Sequence, residues 1–195
     1  MKKILILQGG LNEEHKVSIN TANEVAKVLT KLKIDFIRFT VNPKTFVRDI
    51  SRFSNKHICF NSLHGSFGED GKIQKILKKK GFSFTHSNQN SSINCFNKIK
   101  SKEIIKKYKI LTPSHKLVKI KDIDHKYLEK ISIKFKKFVL KPVSSGSSYG
   151  LKVIKSKKDL SFFCKEIQKF KRNFDYNEDF IIEKYISGKE LTVSV

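Results

Sequence analysis

The chain has 195 residues, 38% of them hydrophobic and 16 of them phenylalanine, with a formal charge of +23 at neutral pH. That length supports one large packed domain or two small ones, and no apolar run approaches the roughly 18 residues of a membrane span. Only four of the 41 basic residues are arginine (Arg38, Arg48, Arg52 and Arg172). Bidentate phosphate and base recognition favours arginine, so the charge reads as lysine filling solvated positions rather than as a specific nucleic-acid surface. Cys59, Cys95 and Cys164 are odd in number and lack metal-site spacing, which suits reduced structural thiols.

Met-Lys-Lys-Ile-Leu-Ile-Leu has too short an apolar run for a secretory h-region and reads as a buried first strand of a cytoplasmic protein. Lys3 to Leu7 forms that strand and ends in Gly9-Gly10. Val17, Thr21, Val25, Val28, Leu29 and Leu32 then recur at helical steps. Ile34 to Val41 is a second strand, Pro43 to Phe53 a short helix, and His57 to Leu63 a third strand. Gly71 to Lys80 is a helix with Ile73, Ile76 and Leu77 on one face. Strand alternating with helix predicts a parallel, doubly wound α/β unit. Ligands in such sheets bind beyond the carboxyl ends of strands, where Gly9-Gly10 and His64-Gly65 fall.

A second unit starts near Asn90. It is predicted to hold a helix (Asn97 to Tyr108), a strand (His115 to Val118), a helix (Asp124 to Ile133) and a strand running into Lys141. After these come a strand from Leu151 to Ile154 and a helix from Lys157 to Phe170, with Leu160, Phe163, Cys164 and Ile167 facing inward. Phe180 to Ile186 and Glu190 to Val195 read as two further strands. Eight of the nine glycines fall in four short segments, around positions 9–10, 65–71, 146–150 and 188. Glycine lets backbone approach a ligand closely, so these segments mark candidate sites.

The most informative segment is Phe138-Val139-Leu140-Lys141-Pro142-Val143-Ser144-Ser145-Gly146-Ser147-Ser148-Tyr149-Gly150. A strand delivers a lysine to a small-residue loop whose N–H groups and hydroxyls can turn toward a polyphosphate. The same composition also suits a flexible serine-rich linker. No Walker A pattern occurs. Phe180-Ile181-Ile182-Glu183-Lys184-Tyr185-Ile186-Ser187-Gly188-Lys189-Glu190-Leu191-Thr192-Val193, alone, reads as a β-hairpin with alternating charges.

Together these two segments resemble the ATP-grasp superfamily, in which two sheets clamp ATP. Leu7-Gln8-Gly9-Gly10-Leu11-Asn12-Glu13-Glu14-His15-Lys16-Val17-Ser18 resembles the opening signature of D-alanine–D-alanine ligases. Leu63-His64-Gly65-Ser66-Phe67-Gly68-Glu69-Asp70-Gly71 is similar to their second signature, and Phe96-Asn97-Lys98-Ile99-Lys100-Ser101-Lys102 to their third. The resemblance covers the whole chain. It implies an amino-terminal substrate-binding α/β domain (1–89), an ATP-grasp small subdomain (90–179) and the start of a larger one (180–195).

By that resemblance Glu14 holds the ammonium of the first D-alanine, Ser147 bonds to that glutamate, and His64 sits by the first substrate. On the residues alone, Glu14 could equally cap the helix that follows it. His64, Glu69 and Asp70 could pass for metal ligands, although their spacing argues against it. The resemblance further implies that Lys98 and Lys141 contact the ATP phosphates and that Gly146, Ser147, Ser148 and Gly150 line the phosphate loop. Glu183, Lys184 and Ile186 border adenine, and Glu190 accepts from the ribose hydroxyls.

The implied reaction is ligation of two D-alanines through an acylphosphate for peptidoglycan synthesis, using ATP and magnesium or manganese. The metal ligands are expected beyond Val195, so the 195 residues are expected to be an amino-terminal fragment, inactive alone. A homodimer of the full-length form is implied, with no membrane partner. Ligases that use D-lactate or D-serine as second substrate, and a non-catalytic nucleotide-binding module, are the alternatives. Departures are local: Leu11, Asn12 and Glu13 stand where the family often has small residues, Lys16 where an acidic residue is usual, and Ser145 where a charge is common.

Overall fold

The structure, a computed structural model, describes residues 3–191. Two compact units divide the chain: Met1–Ser101 with Ser144–Ser147, and Lys102–Val143 with Ser148–Val195. Among the described residues no helix is long and apolar enough to cross a membrane.

The first unit is built on a four-stranded sheet of β1 (Ile4–Gly9), β2 (Phe36–Val41), β3 (Ile58–Asn61) and β4 (Ser83–Phe84) in the order β2-β1-β3-β4. Every pairing is parallel, as the alternation of strand and helix predicts. Leu5, Ile6 and Leu7 of central β1 are all fully buried. A strand covered on both faces needs a continuous apolar run, and this one has it. Leu7 pairs with both Phe39 and Asn61, so the loops that begin at Gly10 and Ser62 leave from one edge of the sheet.

Helix α1 (His15–Lys31) departs from expectation in its inward face. Val17, Val28 and Leu32 are exposed, whereas Ser18 and Ala22 are buried. A helix lying close on a sheet needs small residues at the contact, and the Ser18 hydroxyl also accepts from the Gly9 N–H at 2.8 Å. The helix expected over Pro43 to Phe53 is shorter, α2 (Phe46–Asp49) continued by a 3-10 turn (Ile50–Arg52). In α3 (Lys72–Lys79), Ile73 and Leu77 are buried as predicted.

Strand β4 and helix α4 (Gln89–Phe96) were not anticipated. Two residues are too few to show alternation, and Gln-Asn-Ser-Ser-Ile-Asn-Cys-Phe carries little apolar period. Helix α4 starts instead from its cap, the Asn88 side chain accepting from the Ser91 N–H at 3.0 Å.

Gly71 precedes α3 at φ +87°, and a Cβ there would stand 2.6 Å from Ile93 and 2.8 Å from the Gln89 carbonyl. Gly71→Ala is therefore expected to lower stability by about 1–3 kcal/mol, from left-handed strain plus overpacking. Chemical denaturation of the variant checks this. Burial pushes the Cys59 thiol up to about 12, and Cys95 is exposed. A maleimide at neutral pH should modify Cys95 in the native protein and Cys59 only on unfolding, as mass spectrometry of the peptides would read.

The division between units falls within α5 (Lys98–Lys107). The second unit carries an antiparallel sheet of β5 (His115–Lys119), β6 (Phe138–Pro142), β7 (Lys152–Ile154) and β8 (Asp179–Lys184) in the order β5-β8-β6-β7. Strand β8 pairs with β5 and β6. The hairpin reading of the segment from Phe180 is thus corrected: residues 185–191 form no strand, and the rest of the expected strand from Glu190 lies outside the described residues. The segment is apolar because its strand sits in the middle of a sheet made with partners distant in sequence.

Helices α6 (His125–Phe135) and α7 (Lys157–Lys171) pack on this sheet through the residues of one core cluster. Asp124 caps α6, and Ser156 with Asp159 forms a capping box on α7. Leu160, Phe163 and Ile167 are buried as predicted, and Cys164 is half-buried against them. Phe174 meets Phe180 edge-to-face at 4.9 Å, seating β8 in that core.

Candidate functional site

Two clusters of polar residues emerge, one in each unit. In the first, Glu14 stands at the start of α1 with 4% of its surface exposed. Its side chain makes no capping bond to the helix, so the capping alternative is not realised. It accepts instead from the Ser147 hydroxyl through Oε1. The other oxygen, Oε2, is buried with no hydrogen-bond partner among the described residues.

Gly65 (φ +68°) and Gly146 border this carboxylate, and a Cβ at Gly146 would stand 2.7 Å from Oε2. Side chains at either glycine would therefore fill the space against the orphaned oxygen. Asn12 braces the arrangement: its Oδ1 accepts from the Glu14 N–H at 3.0 Å, and its Nδ2 donates to the His64 and Ser66 carbonyls at 2.8 and 3.0 Å. The sequence marked Asn12 only as an unusual residue; its bracing role follows from contacts 52 and 54 residues away.

His64 shares a 2.9 Å hydrogen bond between Nε2 and the Thr21 hydroxyl, and its Nδ1 lies 3.7 Å from Glu69. Glu69 accepts from the Gly65 N–H and Asp70 from the Lys72 N–H, so both carboxylates organise the loop. Lys98 donates to the Ser145 carbonyl at 2.9 Å, and Ser147 and Ser148 both adopt left-handed backbone, φ 44° and 58°. Non-glycine residues held there cost on the order of 1 kcal/mol each, a pattern that concentrates at ligand-binding loops.

The second cluster joins Lys102, Lys141 and Glu183. Glu183 lies on central β8 opposite Val139, and Lys141 is two residues further along β6, on the same face. Lys141 Nζ is 2.5 Å and Lys102 Nζ 2.7 Å from the two Glu183 oxygens. Lys102 also donates to the Pro113 carbonyl at 3.2 Å. Burial by itself would raise the Glu183 carboxyl; hydrogen bonds from Lys102 and Lys141, with their charges, outweigh it and hold the group below the usual glutamate range.

The structure thus brings Lys141 and Glu183 together, and Lys102, which had no assigned role, with them. Lys184 is exposed at the end of β8, and Ile186 and Glu190 are exposed beyond it. The Ser148 carbonyl accepts from the Leu151 N–H, and a Cβ on Gly150 would meet Phe174 and Pro142 at 2.7 and 2.8 Å. Packing alone therefore accounts for that glycine. No group of three or more His, Cys, Asp or Glu able to hold a metal occurs among the described residues.

Residues 100–195 match the family model described as D-ala D-ala ligase C-terminus. The D-alanine--D-alanine ligase of Pelagibacter ubique is 38% identical over 199 residues, spanning the whole of this chain and 61% of the relative. That of Bacillus anthracis is 34% identical over 194 residues, 99% of this chain and 60% of the relative. By these matches this chain is similar to the D-alanine–D-alanine ligases. It spans about 60% of the length of the curated ligases it matches. Among solved ligases, the Bacillus anthracis crystal structure superposes with a TM-score of 0.74 at 31% identity, covering 96% of this chain and 59% of the other. The same ligase complexed with ATP gives 0.72 at 29% identity, with 96% and 60% covered.

Proposed function

We propose that the protein carrying these residues joins two D-alanines at the expense of ATP, in the cytoplasm, to supply peptidoglycan synthesis. In this reading residues 1–89 bind the amino acid, residues 90–179 are the small nucleotide subdomain, and residue 180 begins the larger one. The observation that carries it is the Glu14 carboxylate, nearly buried, fixed by Ser147 through one oxygen and without a partner at the other among the described residues. A buried carboxylate oxygen left without a donor is costly, and an amino acid's ammonium is a donor of the right charge.

The γ-phosphoryl of ATP passes to the carboxylate of the first D-alanine. The amine of the second then attacks the acyl carbon, and inorganic phosphate leaves with the C–O bond electrons. In the proposal Glu14 orients the first ammonium, His64 flanks it, and Lys98 and Lys141 neutralise phosphate charge. Glu183, Lys184 and Ile186 border adenine, and Glu190 meets the ribose. Phosphoryl transfer asks mainly for positioning and electrostatics, which suits such side chains. Magnesium would accompany the nucleotide, and no step is assigned to it from the described residues.

The test is a titration of the protein with a fluorescent ATP analogue, followed by phosphate release on adding D-alanine. ATP is expected to displace the analogue, and Lys141→Ala to weaken binding by roughly 10- to 100-fold, the loss of one charge-assisted hydrogen bond. Analogue binding that ATP does not displace and that Lys141→Ala does not alter would sink the reading.

A further inference from the structure

We infer that Lys102 is a positioning residue for the nucleotide side of the site, acting through Glu183 to fix the ammonium of Lys141. This rests on the proposed nucleotide role of Lys141. The three side chains form a relay with a buried end: Lys102 is 11% exposed, Glu183 9% and Lys141 27%. Lys102 directs its ammonium to Glu183 Oε1 and the Pro113 carbonyl, so it is committed to the protein. Glu183 uses its second oxygen on Lys141. Lys141 keeps the largest solvent-facing portion of the three, at the end of the strand that feeds the serine–glycine loop.

The energetics favour a positioning role over a stabilising one. Burying three ions costs several kcal/mol each before pairing, and apolar residues of similar volume often hold a fold together as well or better. A Glu183–Lys141 pair would already be neutral, so Lys102 adds a charge that stability does not require. What a second cation does is anchor the carboxylate through Oε1, the oxygen that Lys141 does not meet. A flexible lysine gains a single direction only if its partner is itself immobile. Lys102 reaches Glu183 from helix α5, and the chain runs from that helix through Pro113 into β5, whose His115 stands opposite Glu183 in the ladder.

The experiment compares Lys102→Met and Lys102→Arg with the protein that keeps Lys102, all in a His115→Gln background. The readouts are the 13Cδ titration of Glu183, assigned with Glu183→Gln, the 15Nζ signal of the Lys141 ammonium, and ATP affinity. Lys102→Met is expected to raise the Glu183 midpoint by about one pH unit or more, as loss of a close cation does. It should also broaden the Lys141 signal by faster proton exchange and weaken ATP binding about tenfold, increasingly so as pH falls. Lys102→Arg should recover all three.

A Lys102→Met protein that is less stable but keeps the Glu183 midpoint, the Lys141 signal and the ATP affinity would overturn the proposal. Should Lys102→Met fail to fold, Lys102→Gln replaces it, and an unchanged Lys141 signal in that variant is equally decisive. If the unsubstituted protein binds no ATP, the nucleotide reading fails, while the two NMR readouts still decide whether Lys102 positions Lys141.

Discussion

Glu14→Gln is expected to cut D-alanine-dependent phosphate release by roughly 30- to 5,000-fold, while the fold becomes no less stable. Truncating one member of a buried, hydrogen-bonded charge pair costs about 2–5 kcal/mol of binding, which sets that range. Glutamine keeps the shape and can still accept from Ser147, but it cannot offer a charged oxygen to an ammonium. Stability should hold because the charge removed has a buried oxygen with no partner among the described residues. A helix-capping role predicts the reverse pattern, lower stability with turnover nearly intact. Steady-state phosphate release by the whole gene product, beside thermal unfolding of the same sample, separates the two.

Glu183→Ala is expected to destabilise the second unit by about 3–5 kcal/mol, because it leaves the buried Lys102 ammonium and the half-buried Lys141 ammonium without their carboxylate. That is a large part of the 5–15 kcal/mol a typical domain has in total. Urea unfolding followed by a probe in β8 would read it. The pH dependence has a definite sign. The folded Glu183 carboxyl lies below its ordinary value of 4.5, so its stabilisation is fully present above that value. It is lost as pH falls from 4.5 through the lowered folded value. Glu183→Gln should flatten that part of the acid-unfolding profile.

How much of this was legible depended on whether the signal was local. The buried run Leu5 to Leu7 and the inward face of α7 are each visible within a few residues of chain, and each stands as expected. The face of α1 was misread because periodicity rewards large apolar residues, whereas close packing on the sheet selected Ser18 and Ala22. Strand β8 was taken as half of a hairpin because alternation identifies a strand without naming its neighbours. Lys102 was one of 37 lysines, and although it closes the third signature, nothing nearby in sequence names its partner.

By itself the sequence determined the kinds of chemistry available and their order: a carboxylate after the first strand, a histidine–glycine loop after the third, and a lysine delivered to a serine–glycine loop. It also determined most of the stretches that become strands and helices, β4 and α4 excepted, since propensity, period and caps act over one or two turns. Tertiary structure alone decided the partners. It set Ser147 on Glu14 across 133 residues, left Oε2 without a donor among the described residues, and placed Glu183 between Lys102 and Lys141. Those contacts come from sheet register and from loop ends meeting in space, and no periodicity along the chain encodes them.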